Sequence, residues 1–235
     1  MGEIHYPKID CFNLSRGIEK ENLRVHADGS LAQSPHPAAL GSALCHQYIT
    51  TDFAECLPEM VTKVHQSMGG LLQELEHIQH FLYQSLPEDE YLWPASMPPF
   101  IADENAVPIA EFGSSNVGQM KHIYRLGLSH RYGRVMQAIA GIHYNVSFDD
   151  ALFEALRKSK GAQVPLQDFK NQSYMSLIRR FLDHQWLLLY LFGAAPVAME
   201  SSVGTRRPCY LQQASAHTWV VPEGTSLRLS PFGYQ

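Results

Sequence analysis

Charge is scarce in this chain. Of its 235 residues only 17% are Asp, Glu, Lys or Arg, against an average of about 25%. There is no basic excess either, since 18 Lys and Arg stand against 23 Asp and Glu for a formal net charge of −5. No Lys/Arg-rich block is interleaved with aromatics, which argues against nucleic acid as a partner. Cysteine is sparse: Cys11, Cys45, Cys56 and Cys209 lie at irregular intervals with no C-x-x-C pair. That spacing suits neither a zinc knuckle nor a disulfide framework, and points to free thiols in a reducing compartment. Long apolar runs are missing as well. The best, Trp186 to Met199, is shorter than the roughly 20 residues of a spanning helix, and Gly193 and Pro196 interrupt it. It reads as a buried core helix ending at Gly193. The first residues carry no secretory apolar region. The expectation is a soluble, cytoplasmic protein with no membrane partner.

What is present is a hydrophobic content of 45%, enough to exclude disorder and to build one core, so residues 1–235 are expected to form a single domain unit. No fixed-period repeat or low-complexity tract divides it. Residues 17 to 25, GIEKENLRV, alternate as one strand. Asp28-Gly29 is a tight-turn dipeptide that predicts a hairpin return near Leu31. The run SPHP opens a loop with a short helix over residues 34 to 50. A second strand is predicted from Cys56 to Thr62, with Pro58 marking an edge or bulge. Leu71, Leu72, Leu75, Ile78 and Leu82 recur at helical spacing before Pro87, and WPASMPPF then reads as irregular loop. Asn116 to His130 predicts a helix whose Val117, Met120, Ile123, Tyr124 and Leu128 form an inward stripe. Strands are expected within Tyr132–Ile139 and Ile142–Phe148, helices at 150–158 and 168–192, and a β-like segment from Tyr210 onward. Hairpins mixed with long helices give an α+β class.

The first strand is the most informative for chemistry. Alternation puts Glu19, Glu21, Leu23 and Val25 on one face and Lys20, Asn22 and Arg24 on the other. Two carboxylates sharing the face that should point to the core need a positive charge between them, and a hard divalent cation such as Mg²⁺ would meet that need. An edge hairpin with solvated glutamates is the other reading. Glu59 sits in the apolar run Leu57 to Val61 and, taken alone, reads as a solvated strand residue. Around residue 145, Tyr144, Val146 and Phe148 alternate with His143, Asn145 and Ser147. That polar row is either the wet face of a sheet or a site face, with His143 contacting metal or phosphate. Three familiar motifs fail. Gly113 to Gly118 lacks the Lys and Ser/Thr of a phosphate loop, His77 and His80 lack the Glu of a zinc hydrolase, and no G-x-S-x-G occurs.

Taken together, RGIEKENLRVHADGSLA, HPAALGSALCHQYITTDFAECLPEMVT, WPASMP, FGSSNVGQMKHIYRLGLSHRYG, AIAGIHYNVSF, YLFGAAPVAM and GTSLRLSPFGY resemble the glutamate–cysteine ligase family of the proteobacterial type, in the family's order. The resemblance implies a glutamine-synthetase-like fold, with an antiparallel sheet curled around the active site and flanked by helices. It also implies ATP-dependent ligation of the L-glutamate γ-carboxylate to the L-cysteine amine through an acyl phosphate, the first step of glutathione biosynthesis, with Mg²⁺ or Mn²⁺ as cofactor. By position, Glu19, Glu21, Glu59 and His143 resemble the family's metal ligands. Tyr124, Arg125 and Tyr234 resemble substrate-binding residues, and Arg228 a catalytic, phosphate-side arginine. Family members continue well beyond residue 235, through a strand with E-x-R character. The fold is therefore expected to be incomplete at its C-terminal end, the isolated chain poorly active, and the C-terminal half its partner. An inactive relative, or another carboxylate–amine ligase of the same fold, fits the same blocks.

Overall fold

The structure, a computed structural model, describes residues 13–101, 103–193, 196–203 and 211–222. Its elements run β1 (Leu14–Glu21), β2 (Arg24–His26), β3 (Ile49–Thr51), β4 (Pro58–Val61), α1 (Met68–Gln84), β5 (Glu90–Leu92), α2 (Asn116–Tyr132) and α3 (Arg134–Gln137). They continue through β6 (Ile142–Phe148), α4 (Asp150–Ser159), α5 (Leu166–Phe192), β7 (Val197–Met199), α6 (Glu200–Val203), β8 (Gln212–Ser215) and β9 (Thr218–Val220). Every strand pair among the described residues is antiparallel. The α+β class follows from that pairing together with the long helices.

The sheet ordered β3-β4-β1-β6 positions the site. Ile49, Met60, Lys20 and Ile142 stand opposite one another across its four strands, and so share one face. Helix α1 lies on that face, where Ile49 and Met60 pack with Ile78 and Leu82. Ser67 opens α1 by accepting from the Gly70 amide, which satisfies one of the unpaired donors of its first turn. The glutamates project from the opposite face. The predicted single strand over 17–25 is therefore corrected. The chain breaks at Asn22–Leu23, and the next strand pairs with β5 instead. Leu23 and Val25 enter a different core, with Phe53, Leu57, Val107 and Val135. The turn after β2 does form, with Gly29 at φ 83 and the His26 amide donating to Ser30.

Other expectations change for physical reasons. Pro58 is not on an edge, because β4 lies between β3 and β1. It is the first residue of its strand, where a missing donor costs little. No strand forms within Tyr132–Ile139. Gly133, at φ 82, ends α2, and the helical turn α3 begins directly after it. Most of the predicted stripe of α2 points outward, with Val117, Met120, Ile123 and Tyr124 exposed, while Leu128 packs partly buried against the core of Leu23 and Val135. The helix docks instead through Gly118, where an added Cβ would meet the Phe112 carbonyl at 2.5 Å. His122 and Arg125, which bond to backbone carbonyls, hold the same side. β3, β5 and β7 were unforeseen because three residues carry too little alternation to read.

α4 and α5 hang from the end of β6. Phe148, Phe153 and Tyr174 cluster there, and the Tyr174 hydroxyl accepts from the Phe148 amide. The rest of α5 is a correction to the buried-helix expectation. It does end at Phe192, with Gly193 as its cap, yet Trp186, Leu187, Leu188, Tyr190, Leu191 and Phe192 are all exposed. No helix of the described residues is long and apolar enough to cross a membrane. Cys45 and Cys56 are free thiols, and Cys11 and Cys209 lie outside the described residues.

Candidate metal centre

Cross-strand pairing builds the polar face. Glu19 stands opposite His143, and Glu21 opposite Glu59, so all four side chains rise from the same side of the sheet. Glu19, Glu59 and His143 each offer one ligand atom, and these atoms lie within 4.8 Å of one another. His143 Nδ1 is 3.0 Å from Glu19 Oε2, and Asn145 Nδ2 donates to Glu19 Oε1 at 2.9 Å. Glu21 lies beside this group and is turned partly away from it. Its Oε2 accepts from the Gly141 amide at 2.7 Å, and it is buried where its neighbours are more open.

The electrostatics identify what the face wants. Burial, with Asp52, Glu21 and Glu19 nearby, pushes the Glu59 carboxyl up to about 7. The hydrogen bond from His143 holds Glu19 below the usual carboxylate range, and the same bond raises His143 above the ordinary imidazole value. Burial is the larger cause of that rise, and the like-charged neighbours add to it, so a positive charge placed here would be favoured. Two carboxylates and an imidazole on one side, open on the other, fit Mg²⁺ or Mn²⁺, which keep waters and bind substrate oxygens in their remaining positions.

Asp52 was missed by sequence reasoning. It follows β3 on the face of Thr50, which pairs with Glu59, and its charge acts on Glu59. Only the recognition of a short strand at 49–51 would have placed it. Asn145 was seen in the polar row but given no role. Of the substrate residues, Tyr124 is exposed on α2. Arg125 is half-buried and donates to the carbonyls of Asp52, Lys121 and Thr51. Arg228 and Tyr234 lie outside the described residues.

Comparison with known proteins gives a consistent picture. The sequence profile of the family described as glutamate–cysteine ligase matches residues 8–235. The chain is 48% identical over 223 residues to the glutamate–cysteine ligase of Hahella chejuensis, covering 95% of this chain and 42% of that protein. It is 50% identical over 220 residues to that of Bordetella petrii, covering 94% and 41%. The chain thus spans about 42% of the length of the relatives it matches. Among solved structures it is similar to the glutamate–cysteine ligase of Francisella tularensis in complex with AMP, at a TM-score of 0.82 and 42% identity over 94% of this chain and 43% of that one. It is also similar to a bifunctional glutathione synthetase from Pasteurella multocida, at a TM-score of 0.71 and 35% identity over 79% and 24%.

Proposed function

Because the chain belongs to the glutamate–cysteine ligase family, we propose that it carries part of the site for an ATP-dependent ligation of the L-glutamate γ-carboxylate to the L-cysteine amine. In this reading residues 1–235 are one portion of a cytoplasmic catalytic domain. The reaction begins glutathione biosynthesis. The convergence of Glu19, Glu59 and His143 on the polar face of the sheet carries the proposal.

A glutamate γ-carboxylate oxygen takes the γ-phosphoryl group of ATP, releasing ADP and leaving an acyl phosphate. The cysteine amine then attacks the carbonyl carbon. The carbon–oxygen bond breaks, phosphate leaves, and the nitrogen gives up a proton. Glu19, Glu59 and His143 would hold Mg²⁺ or Mn²⁺, with Glu21 and Asp52 adding negative charge beside them. When bound, the cation neutralises charge on the phosphoryl group in transfer. The Asn145 amide and His143 keep the Glu19 carboxylate oriented and ionised. Tyr124, open to solvent at the surface of α2, is assigned to the substrate pocket. Tyr234 is assigned there too, and Arg228 to the phosphate side. Rate comes from positioning and charge rather than from a covalent enzyme nucleophile.

The test joins this chain to the remaining length of the Hahella chejuensis relative and follows ADP formation that requires both glutamate and cysteine. Glu59→Gln should lower turnover by about 100-fold, the upper end expected when a metal ligand's environment is lost. Turnover that survives both Glu59→Gln and His143→Ala unchanged would sink the reading.

A further inference from the structure

We infer that Arg125 is a positioning residue, whose side chain fixes the turn between β3 and β4 and thereby sets Asp52 and Glu59 toward the cation. This rests on the reading of Glu19, Glu59 and His143 as a metal group. Arg125 Nε donates to the Asp52 carbonyl, Nη2 to the Thr51 carbonyl at 3.4 Å and Nη1 to the Lys121 carbonyl at 3.0 Å. Each of the three nitrogens thus makes a bond to backbone. The guanidinium also lies over the Phe112 ring, 4.6 Å from its centroid, a cation–π contact that holds it there.

The turn it grips is otherwise closed on itself and strapped from outside. The Asp52 amide donates to Leu57, and the Leu57 amide to Ala54. The Glu55 amide donates to Pro108 and the Ala110 amide to Phe53, so the segment leading to Phe112 runs alongside the turn. Gly118 lets the start of α2 close onto the Phe112 carbonyl. Helix, strap and turn thus meet at one guanidinium. Thr50 and Thr51 pair with Glu59 and Pro58, so any shift of the Thr51–Asp52 carbonyls moves the strand that carries Glu59. The positive charge also lies within electrostatic range of Asp52 and Glu59. Lysine would keep that charge, but its compact ammonium cannot span three carbonyls from a position over the ring.

The experiment titrates the 235-residue chain with Mn²⁺, reading free ion by electron paramagnetic resonance, and records amide hydrogen exchange in parallel. Arg125→Lys should weaken Mn²⁺ by about 10–100-fold, as loss of a group that orients a metal ligand does. It should also speed exchange at Asp52 and Leu57 by about tenfold, with Ile78 and Leu82 in α1 unchanged. Phe112→Leu should act in the same direction more weakly, and Met120→Ala, exposed on the same helix, should do nothing. Unchanged exchange at Asp52 and Leu57 in Arg125→Lys overturns the inference, as does faster exchange spread evenly over α1. If that variant does not fold, Phe112→Leu decides on the same two readouts. A wild-type chain that takes up no Mn²⁺ defeats the metal reading instead, and exchange at the turn then decides the role of Arg125 alone.

Discussion

The two faces of the β3-β4-β1-β6 sheet are built from the same strands, residue by residue in alternation, yet they solve opposite problems. Under α1, Ile49 and Met60 are 1% and 0% exposed, packed with Ile78 and Leu82. On the other side, Glu19, Glu21 and Glu59 crowd together with Asp52 nearby, and burial together with that crowding holds Glu59 up to about 7. One face lowers the free energy of folding and the other raises it. The difference teaches that the acidic face is tolerated because the apolar face holds the strands in place. Position along the sheet matters too. In the row that runs from Ile49 through Met60 and Lys20 to Ile142, burial is lost at the β6 end, where Ile142 is 67% exposed.

The comparison breaks most visibly at Met60. Met60→Ala should cost about 2–4 kcal/mol, the usual range for emptying a fully buried site, and urea unfolding would read it. A cost below about 1 kcal/mol would mean that α1 does not hold the sheet.

Glu59→Gln acts in the other direction and sharpens the contrast. Between the unfolded carboxyl value of 4.5 and the folded value of about 7, the native chain keeps a proton on Glu59 that the unfolded chain has released. Native-state proton excess means that stability falls as pH rises through this window. His143, held above its ordinary 6.5 by Glu19, adds stability that is present below that value and lost as pH rises through its folded value. Glu59 and His143 should therefore make the metal-free chain less stable at pH 8 than at pH 5, against the smaller opposing change at His36, which burial holds below its ordinary value. Glu59→Gln should recover about 1 kcal/mol at pH 8, a figure already reduced for solvent screening of a partly open group, and nothing at pH 4. Mn²⁺ should raise the melting temperature of the wild-type chain at pH 8 and not at pH 4, because only ionised ligands bind it. A melting temperature that climbs from pH 5 to pH 8 without metal would contradict this account of the acidic face.

The smallest effect belongs to Ile142→Ser. It lies in the same row as Met60, beyond the reach of α1, and should change stability by less than about 0.5 kcal/mol. Chemical denaturation of this variant beside Met60→Ala compares identical sheet geometry with and without a covering helix. A loss as large as that of Met60→Ala would show that something covers β6 in solution.

Legibility followed the length of each pattern. α1 was readable because Leu71, Ile78 and Leu82 recur at helical spacing within a seventeen-residue helix and all are buried. β6 was readable because seven residues alternate, and its polar row proved to be the His143 side. α2 was recognised as a helix, and its contact face was not. Beside Leu128, a glycine, a histidine and an arginine make the contact, and none of these three announces burial in a hydrophobicity pattern. The three-residue β3 was invisible, and with it Asp52.

By itself the sequence determined the charge poverty, the residue types of the site and the alternation that puts Glu19 and Glu21 on one face, because strand geometry makes side-chain direction a local property. Their convergence with Glu59 and His143 came only from the tertiary structure. Cross-strand register depends on which strands pair: β1 meets β4, where Glu21 stands opposite Glu59, and on its other side the far more distant β6, where Glu19 stands opposite His143. The separation of Leu23 from the glutamate face was decided there too, since the break after Glu21 and the pairing of β2 with β5 are set by packing rather than by alternation. So were the contacts of Arg125. A guanidinium reads the same in sequence whatever it faces, and only the folded chain brings Thr51, Asp52 and Phe112 to it.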